Sequence, residues 1–279
     1  MSKIFDEIVG FIVGDAMGVP TEFYIREKLL ENPITKMVGY GSHAVLAGSL
    51  SDDISMKLCL IDSINDKNDI DYNDIMKKLK EWIEVGRKYQ QCGFGRRSFE
   101  WIKTDNHEPY NSYGTGAVMR ISPVGVVARD KEELKDISYK ITRVSYNHPD
   151  GIKGAEAVAM MIYLIKEGLT KKELKEYFVK NYYPIDFTIK ELQKNYKFKI
   201  YCSKTVPQAF VSFLESINFE TAIRNAISIG WYSDTIGLLC GAISAEYYSV
   251  PNYIYDKTFE YLDDYQNRLY KNFNERSWF

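Results

Sequence analysis

Histidine and cysteine are scarce in this chain, at 3 and 4 of 279 residues. The cysteines, Cys59, Cys92, Cys202 and Cys240, are scattered, with no CxxC pair and no zinc spacing, so they read as buried reduced thiols. The histidines, His43, His107 and His148, stand in no Ser/His/Asp order, and nothing points to a nucleophilic triad. A P-loop and a dinucleotide glycine fingerprint are both missing. Charge of one sign is not in excess. The formal net charge is −2, so there is no strong nucleic-acid signal, and an anionic ligand has to be held by local features. The apolar start is broken by Asp6, Glu7 and Asp15, which excludes a signal peptide or a membrane span there and leaves a cytoplasmic protein without a membrane partner as the expectation. No Gly-Ser linker, low-complexity tract or repeat divides the chain, and its length suits one domain over 1–279 with a sizeable core.

What is abundant is helical periodicity. Ile54, Leu58, Ile61 and Ile64 recur at fours and threes, predicting a helix from Asp53 to Asn65 entered through Ser51-Asp52-Asp53. Ile75, Leu79 and Ile83 mark another. "GIKGAEAVAMMIYLIKEG" and "KKELKEYFVKNY" follow, then "PQAFVSFLESI" and "FETAIRNAISIG", joined by a turn at Asn218. The run from Asp234 to Tyr248 is apolar nearly all round, as a central buried helix is. "YIYDKTFEYLDDYQNRLY" closes the chain, with a tail after Asn272. Alternation at period two is confined to "NYKFKIYC", Asn195 to Cys202, the one expected strand or extended segment. The fold class is therefore all-α.

Glycine-rich stretches punctuate the helices: "VGDAMGVPTEF", "GYGSHAVLAGSLSDD", "QCGFGRRSF", "NSYGTGAVMRISPVG" and "YNHPDGIKG". Each alone reads as a turn, but glycine also lets backbone approach a ligand. Two acidic helix starts stand out, Ser51-Asp52-Asp53 and Asp234-Thr235. The plain reading of each is a cap with first-turn acids. The sharper reading is a hard-cation site, because adjacent carboxylates and hydroxyls suit Mg²⁺ or Mn²⁺. If the two starts face each other they form one oxygen-lined cage, which spacing alone does not establish. Glu22 is an acid/base or substrate-hydroxyl candidate, or else a surface partner of Arg26, and His148 is the best placed histidine for a polar contact.

Taken in order, the motifs resemble the ADP-ribosylglycohydrolase family, which includes dinitrogenase-reductase-activating glycohydrolases and ADP-ribosylarginine hydrolases. The series runs "GFIVGDAMGVPTEF", "GSLSDDISM", "SYGTGAVMRISPVG", "NHPDGIKGAEA", "CSKTVPQAFVSFLES", "FETAIRNAISIGWYSDT" and "CGAISAEYYSVP". The resemblance implies a compact orthogonal helical bundle that hydrolyses the bond between ADP-ribose and a protein side chain or small acceptor. It implies one or two Mg²⁺ or Mn²⁺ ions held by Ser51, Asp52, Asp53, Asp234 and Thr235, with Glu22, Asp52 and Asp53 as catalytic carboxylates. Glu22 matches an acid near the substrate ribose. Gly114, Thr115 and Gly116 match a diphosphate loop, while Gly93, Phe94, Gly95 and His148 match cleft-forming positions.

The chain departs from that pattern where it matters most. The family reads Gly-Gly-Asp-Ser/Thr-Asp-Thr before its last core helix; this chain reads Gly230-Trp231-Tyr232-Ser233-Asp234-Thr235. Trp231 replaces a glycine and Tyr232 a metal-binding aspartate, which weakens the second metal site, because a phenol with a reference pKa of about 10 is neutral near pH 7. Ile54 stands for a Thr or Ser, and Thr115 for the Asn of Gly-Asn-Gly. Three outcomes follow: an enzyme with one intact metal site, a shifted substrate that stacks on Trp231 and Tyr232, or a silent ADP-ribose-binding or structural relative.

Overall fold

The computed structural model describes residues 4–22, 26–31, 51–66, 72–88, 95–104, 108–248, 250–259 and 264–275. His43, Cys92, Gly93, Phe94 and His107 lie outside them, as does the side chain of Arg26. The helices are α1 (Ile4–Gly18), α2 (Arg26–Glu31), α3 (Asp52–Asp66), α4 (Tyr72–Lys88), α5 (Arg96–Ile102), α6 (Ser122–Val127), α7 (Lys131–Arg143) and α8 (Pro149–Lys166), followed by α9 (Lys171–Asn181), α10 (Ile189–Asn195), α11 (Val206–Leu214), α12 (Phe219–Ser228), α13 (Ser233–Tyr247), α14 (Asn252–Thr258) and α15 (Asp264–Glu275). No helix among the described residues is long and apolar enough to cross a membrane.

The expected strand is replaced by an extended ribbon over 196–201, with a single antiparallel bridge between Tyr201 and Gly114. Its alternation is real, but the rest of the ribbon finds no partner strand among the described residues. The closing segment is two helices rather than one, and α15 runs past the expected end at Asn272 to Glu275. Cys59, Cys202 and Cys240 are buried free thiols, as expected.

At the centre α1 and α13 lie antiparallel and unusually close. Gly10 faces Gly241, Gly14 faces Gly237 and Gly18 faces Asp234. A Cβ on Gly14 would stand 2.1 Å from the Gly237 carbonyl oxygen, and one on Gly241 2.0 Å from that of Gly10. Backbone meets backbone along this seam, so glycine is needed for close approach. The consequence for the site is direct, because Asp15, next to Gly14, is carried against the start of α13. Gly14→Val is expected to cost about 3 kcal/mol through overpacking. Gly95→Ala, where a Cβ meets nothing within 4 Å, is the neutral control. Urea unfolding checks both, and equal midpoints would contradict the seam.

α3 is fastened to α1 by a buried ion pair. The Lys57 ammonium donates to Glu7 and to the Ser122 hydroxyl at 2.7 Å, and it lies 4.0 Å from the centre of the Phe11 ring. Lys57 and Glu7 are 1% and 0% exposed. Asp53 sits one turn before Lys57 on the same helix face, so this clamp sets where the acidic start of α3 comes to rest.

Candidate active site

The two acidic helix starts meet. The Thr235 hydroxyl on α13 donates to Asp53 Oδ2 on α3 at 3.2 Å. The cap reading holds for Ser51, whose Oγ accepts the Ile54 amide at 3.2 Å, and the same hydroxyl bonds the Asp15 carboxyl. Asp52 and Asp234 each accept backbone amides in the first turn of their helices. Capping and clustering are therefore done by the same side chains, since helix N-termini favour carboxylates. Glu22 is brought in by the turn after α1. The Thr21 and Ser233 hydroxyls share the Gly18 carbonyl at 3.0 and 2.9 Å and lie 3.0 Å from each other.

Five carboxyls thus interact electrostatically: Asp15, Glu22, Asp52, Asp53 and Asp234. Burial, then the Asp234 and Asp52 charges, push Glu22 up to about 8. Burial and then Asp234 push Asp52 up to about 7. Burial pushes Asp234 up to about 6. Asp15 and Asp53, fully buried, are raised well above the usual range, by burial first and then by neighbouring carboxylates. Asp15 Oδ1, Asp53 Oδ1 and Asp234 Oδ1 are buried without a hydrogen-bond partner. Such groups are costly unless a cation or proton offsets them.

In kind the donor set fits a hard divalent cation, being all oxygen. In placement no three His, Cys, Asp or Glu side chains among the described residues form a ready ligand set. Sequence reasoning missed Asp15. It was visible as a carboxylate inside an apolar helix, at 1% exposure in the structure, but was used only to argue against a membrane span.

A cleft of about 360 Å³ opens beside these acids. Asp52, Gly95, Gly114, Thr115, Gly116 and Tyr232 line it, together with Arg96 and Arg97. The glycine loop is held from below by Arg120. This fully buried guanidinium donates to the Ile141 and Thr142 carbonyls at 3.2 and 3.3 Å, to Ser145 Oγ at 2.8 Å, and to the Gly116 carbonyl at 3.4 Å. A Cβ on Gly116 would fall 2.0 Å from the Tyr146 hydroxyl, so that glycine is required by packing, whatever the loop binds.

The two departures at 115 and 232 turn out to be one feature. The Tyr232 hydroxyl lies 2.5 Å from Thr115 Oγ1, and its ring meets Phe198 edge-on at 5.1 Å. Burial, then the Asp53 and Asp234 charges, raise the phenol well above its ordinary pKa, so it stays protonated. Gly230 and Trp231 both take positive φ, 77° and 60°. The turn into α13 is thus left-handed with a tryptophan in it, at a backbone cost of about 1–2 kcal/mol. Trp231 is half-buried and does not line the cleft. His148 does not line it either. Its Nδ1 accepts the Asp150 amide at 3.1 Å and caps α8, with its ring edge-on to Tyr113.

Comparison with known proteins places the chain in a family. The family model for ADP-ribosylglycohydrolase matches residues 1–278. The ADP-ribosylarginine hydrolase Tri1 of Pseudomonas putida is 24% identical over 262 residues, covering 87% of this chain and 70% of that protein. The ADP-ribosyl-[dinitrogen reductase] glycohydrolase of Rhodospirillum rubrum is 24% identical over 255 residues, covering 87% and 84%. A solved structure titled ADP-ribosylglycohydrolase-related protein complex superposes with a TM-score of 0.69 at 18% identity, over 97% of this chain and 95% of that one.

Proposed function

The chain belongs to the ADP-ribosylglycohydrolase family, and from that premise we propose that it hydrolyses the glycosidic bond between ADP-ribose and an acceptor, on a protein side chain or a small molecule. The observation that carries this reading is the convergence of Glu22, Asp52, Asp53 and Asp234, with Asp15, from separate segments beside one cleft. Ser51, Asp52, Asp53, Asp234 and Thr235 would hold a divalent cation, Mg²⁺ or Mn²⁺. Such an ion, when bound, orients ribose hydroxyls and acidifies water.

The chain's own residues supply the rest. Breaking a ribosyl bond develops positive charge on the sugar, which the gathered carboxylates stabilise. Asp52, on the cleft wall, accepts a proton from the attacking water. Glu22, whose carboxyl burial and the Asp234 and Asp52 charges push up to about 8 in the cation-free protein, is the candidate proton donor to the leaving group. The Gly114–Gly116 backbone lies where a diphosphate can approach closely, with Arg96 and Arg97 on the same cleft wall.

A second reading is an ADP-ribose-binding protein without turnover, and the Tyr232–Thr115 hydrogen bond favours it, because a neutral phenol stands where the family keeps a carboxylate. One experiment separates the two. ADP-ribose release and ADP-ribose binding are measured for the wild type and for Trp231→Gly/Tyr232→Asp, with Mn²⁺. Release by the wild type supports the hydrolase, and release only by the double variant supports the binding protein. Absence of both release and binding in the two proteins alike contradicts both readings.

A further inference from the structure

A second cavity of about 360 Å³ takes Tyr196, Lys197 and Lys199 from the 196–201 ribbon and Gln208 from α11, none of which lines the cleft. From Lys197 on, the alternation in "KFKI" serves two sides. Phe198 packs on Tyr232 and Ile200 lines the cleft, whereas Lys197 and Lys199 turn to the second cavity. Its apolar walls are Phe187, Leu192 and Tyr196. Gln208 is 5% exposed and its Oε1 is buried without a hydrogen-bond partner. Native interiors seldom leave such an acceptor unmet, and here it borders a cavity large enough for a small ligand.

The charge around the cavity is one-sided. Lys197, Lys199 and Lys204 line it against the single acid Glu191. That carboxylate is already engaged, accepting the Thr188 amide and hydroxyl at 2.8 Å each. We propose that this cavity is a second ligand site, separate from the cleft, for a nucleoside monophosphate: a flat ring between Phe187, Leu192 and Tyr196, its exocyclic amine against the Gln208 side chain, and the phosphate on Lys199 and Lys204. The assignment is independent of turnover at the cleft.

The test is calorimetric titration of the full chain with AMP. The wild type is expected to bind it, and Lys199→Glu/Lys204→Glu to weaken that binding at least tenfold. Asp52→Ala is expected to leave it unchanged. Gln208→Leu is expected to weaken it several-fold while its thermal midpoint stays at or above the wild type's, because an unmet buried acceptor has been removed; that separates lost binding from lost folding. No binding at millimolar AMP, or binding indifferent to the lysine reversals, overturns the site. Inorganic phosphate binding as tightly as AMP overturns the nucleoside assignment.

Discussion

Asp52→Ala is expected to lower ADP-ribose release by on the order of 10³-fold, in the range typical for loss of a positioned acid or base, while making the cation-free protein more stable at pH 8. The two effects have opposite signs for one reason. Asp52 lines the cleft within a cluster whose members raise one another's affinity for protons. Folded carboxyls at about 6, 7 and 8, for Asp234, Asp52 and Glu22, exceed the unfolded values near 4. Between those limits the folded chain binds more protons than the unfolded one. The contribution of this cluster to stability is therefore fully present below pH 4 and is lost as pH rises through 6 to 8. In the cation-free protein the thermal midpoint should fall from pH 5.5 to 8.5, by an amount equivalent to several kcal/mol if the groups titrate together (roughly 1.4 kcal/mol per unit for a buried group, less for half-buried Glu22). Asp52→Ala flattens that slope. A divalent cation should restore the wild type at pH 8 and do little at pH 5. Thermal denaturation with EDTA or Mn²⁺ at the two pH values checks this, and a midpoint indifferent to both pH and cation would contradict the cluster.

Lys57→Ala is expected to cost about 3–5 kcal/mol, because it leaves Glu7 charged, buried and alone. One Glu7 oxygen, Oε2, already lacks a partner, so nothing nearby takes over. The double variant Glu7→Leu/Lys57→Met, which removes both charges and keeps the volume, should recover most of the loss. Urea unfolding of the three variants checks this. A loss in the double variant equal to that in Lys57→Ala would show that packing around Phe11 and Ser122, rather than charge, holds α3 on α1.

The helices were legible in the sequence wherever one apolar face repeats, as at Ile54, Leu58 and Ile61, and wherever a helix is apolar all round, as in α13. Local structure was legible too: Ser51 caps α3 as expected, and the turn expected at Asn218 proves to be the N-cap of α12. What was not legible is long-range. The glycines of α1 look like punctuation until α13 is laid against them, because close backbone approach is a property of the pair. The role of Lys57 is likewise invisible in the sequence, since its partner Glu7 lies fifty positions away. The ribbon at 196–201 carries strand-like alternation, yet pairing needs a neighbour, and among the described residues only Gly114 supplies one. At the site, the acids of α3 and α13 were named from the sequence, whereas Asp15 was passed over and the bond between Thr115 and Tyr232 was out of reach. Read as separate departures, those two residues look like two losses; in the fold they form one contact joining the glycine loop to the start of α13.

The most direct measurement is ADP-ribose release by the wild type from ADP-ribosylated arginine and serine peptides at pH 7.5, first in EDTA and then in excess Mn²⁺. The expected result is release from at least one peptide with Mn²⁺ and none in EDTA. Release that is the same in EDTA and Mn²⁺, or no release from either peptide while ADP-ribose itself binds, would contradict a cation-dependent hydrolase at the Asp52–Asp234 cluster.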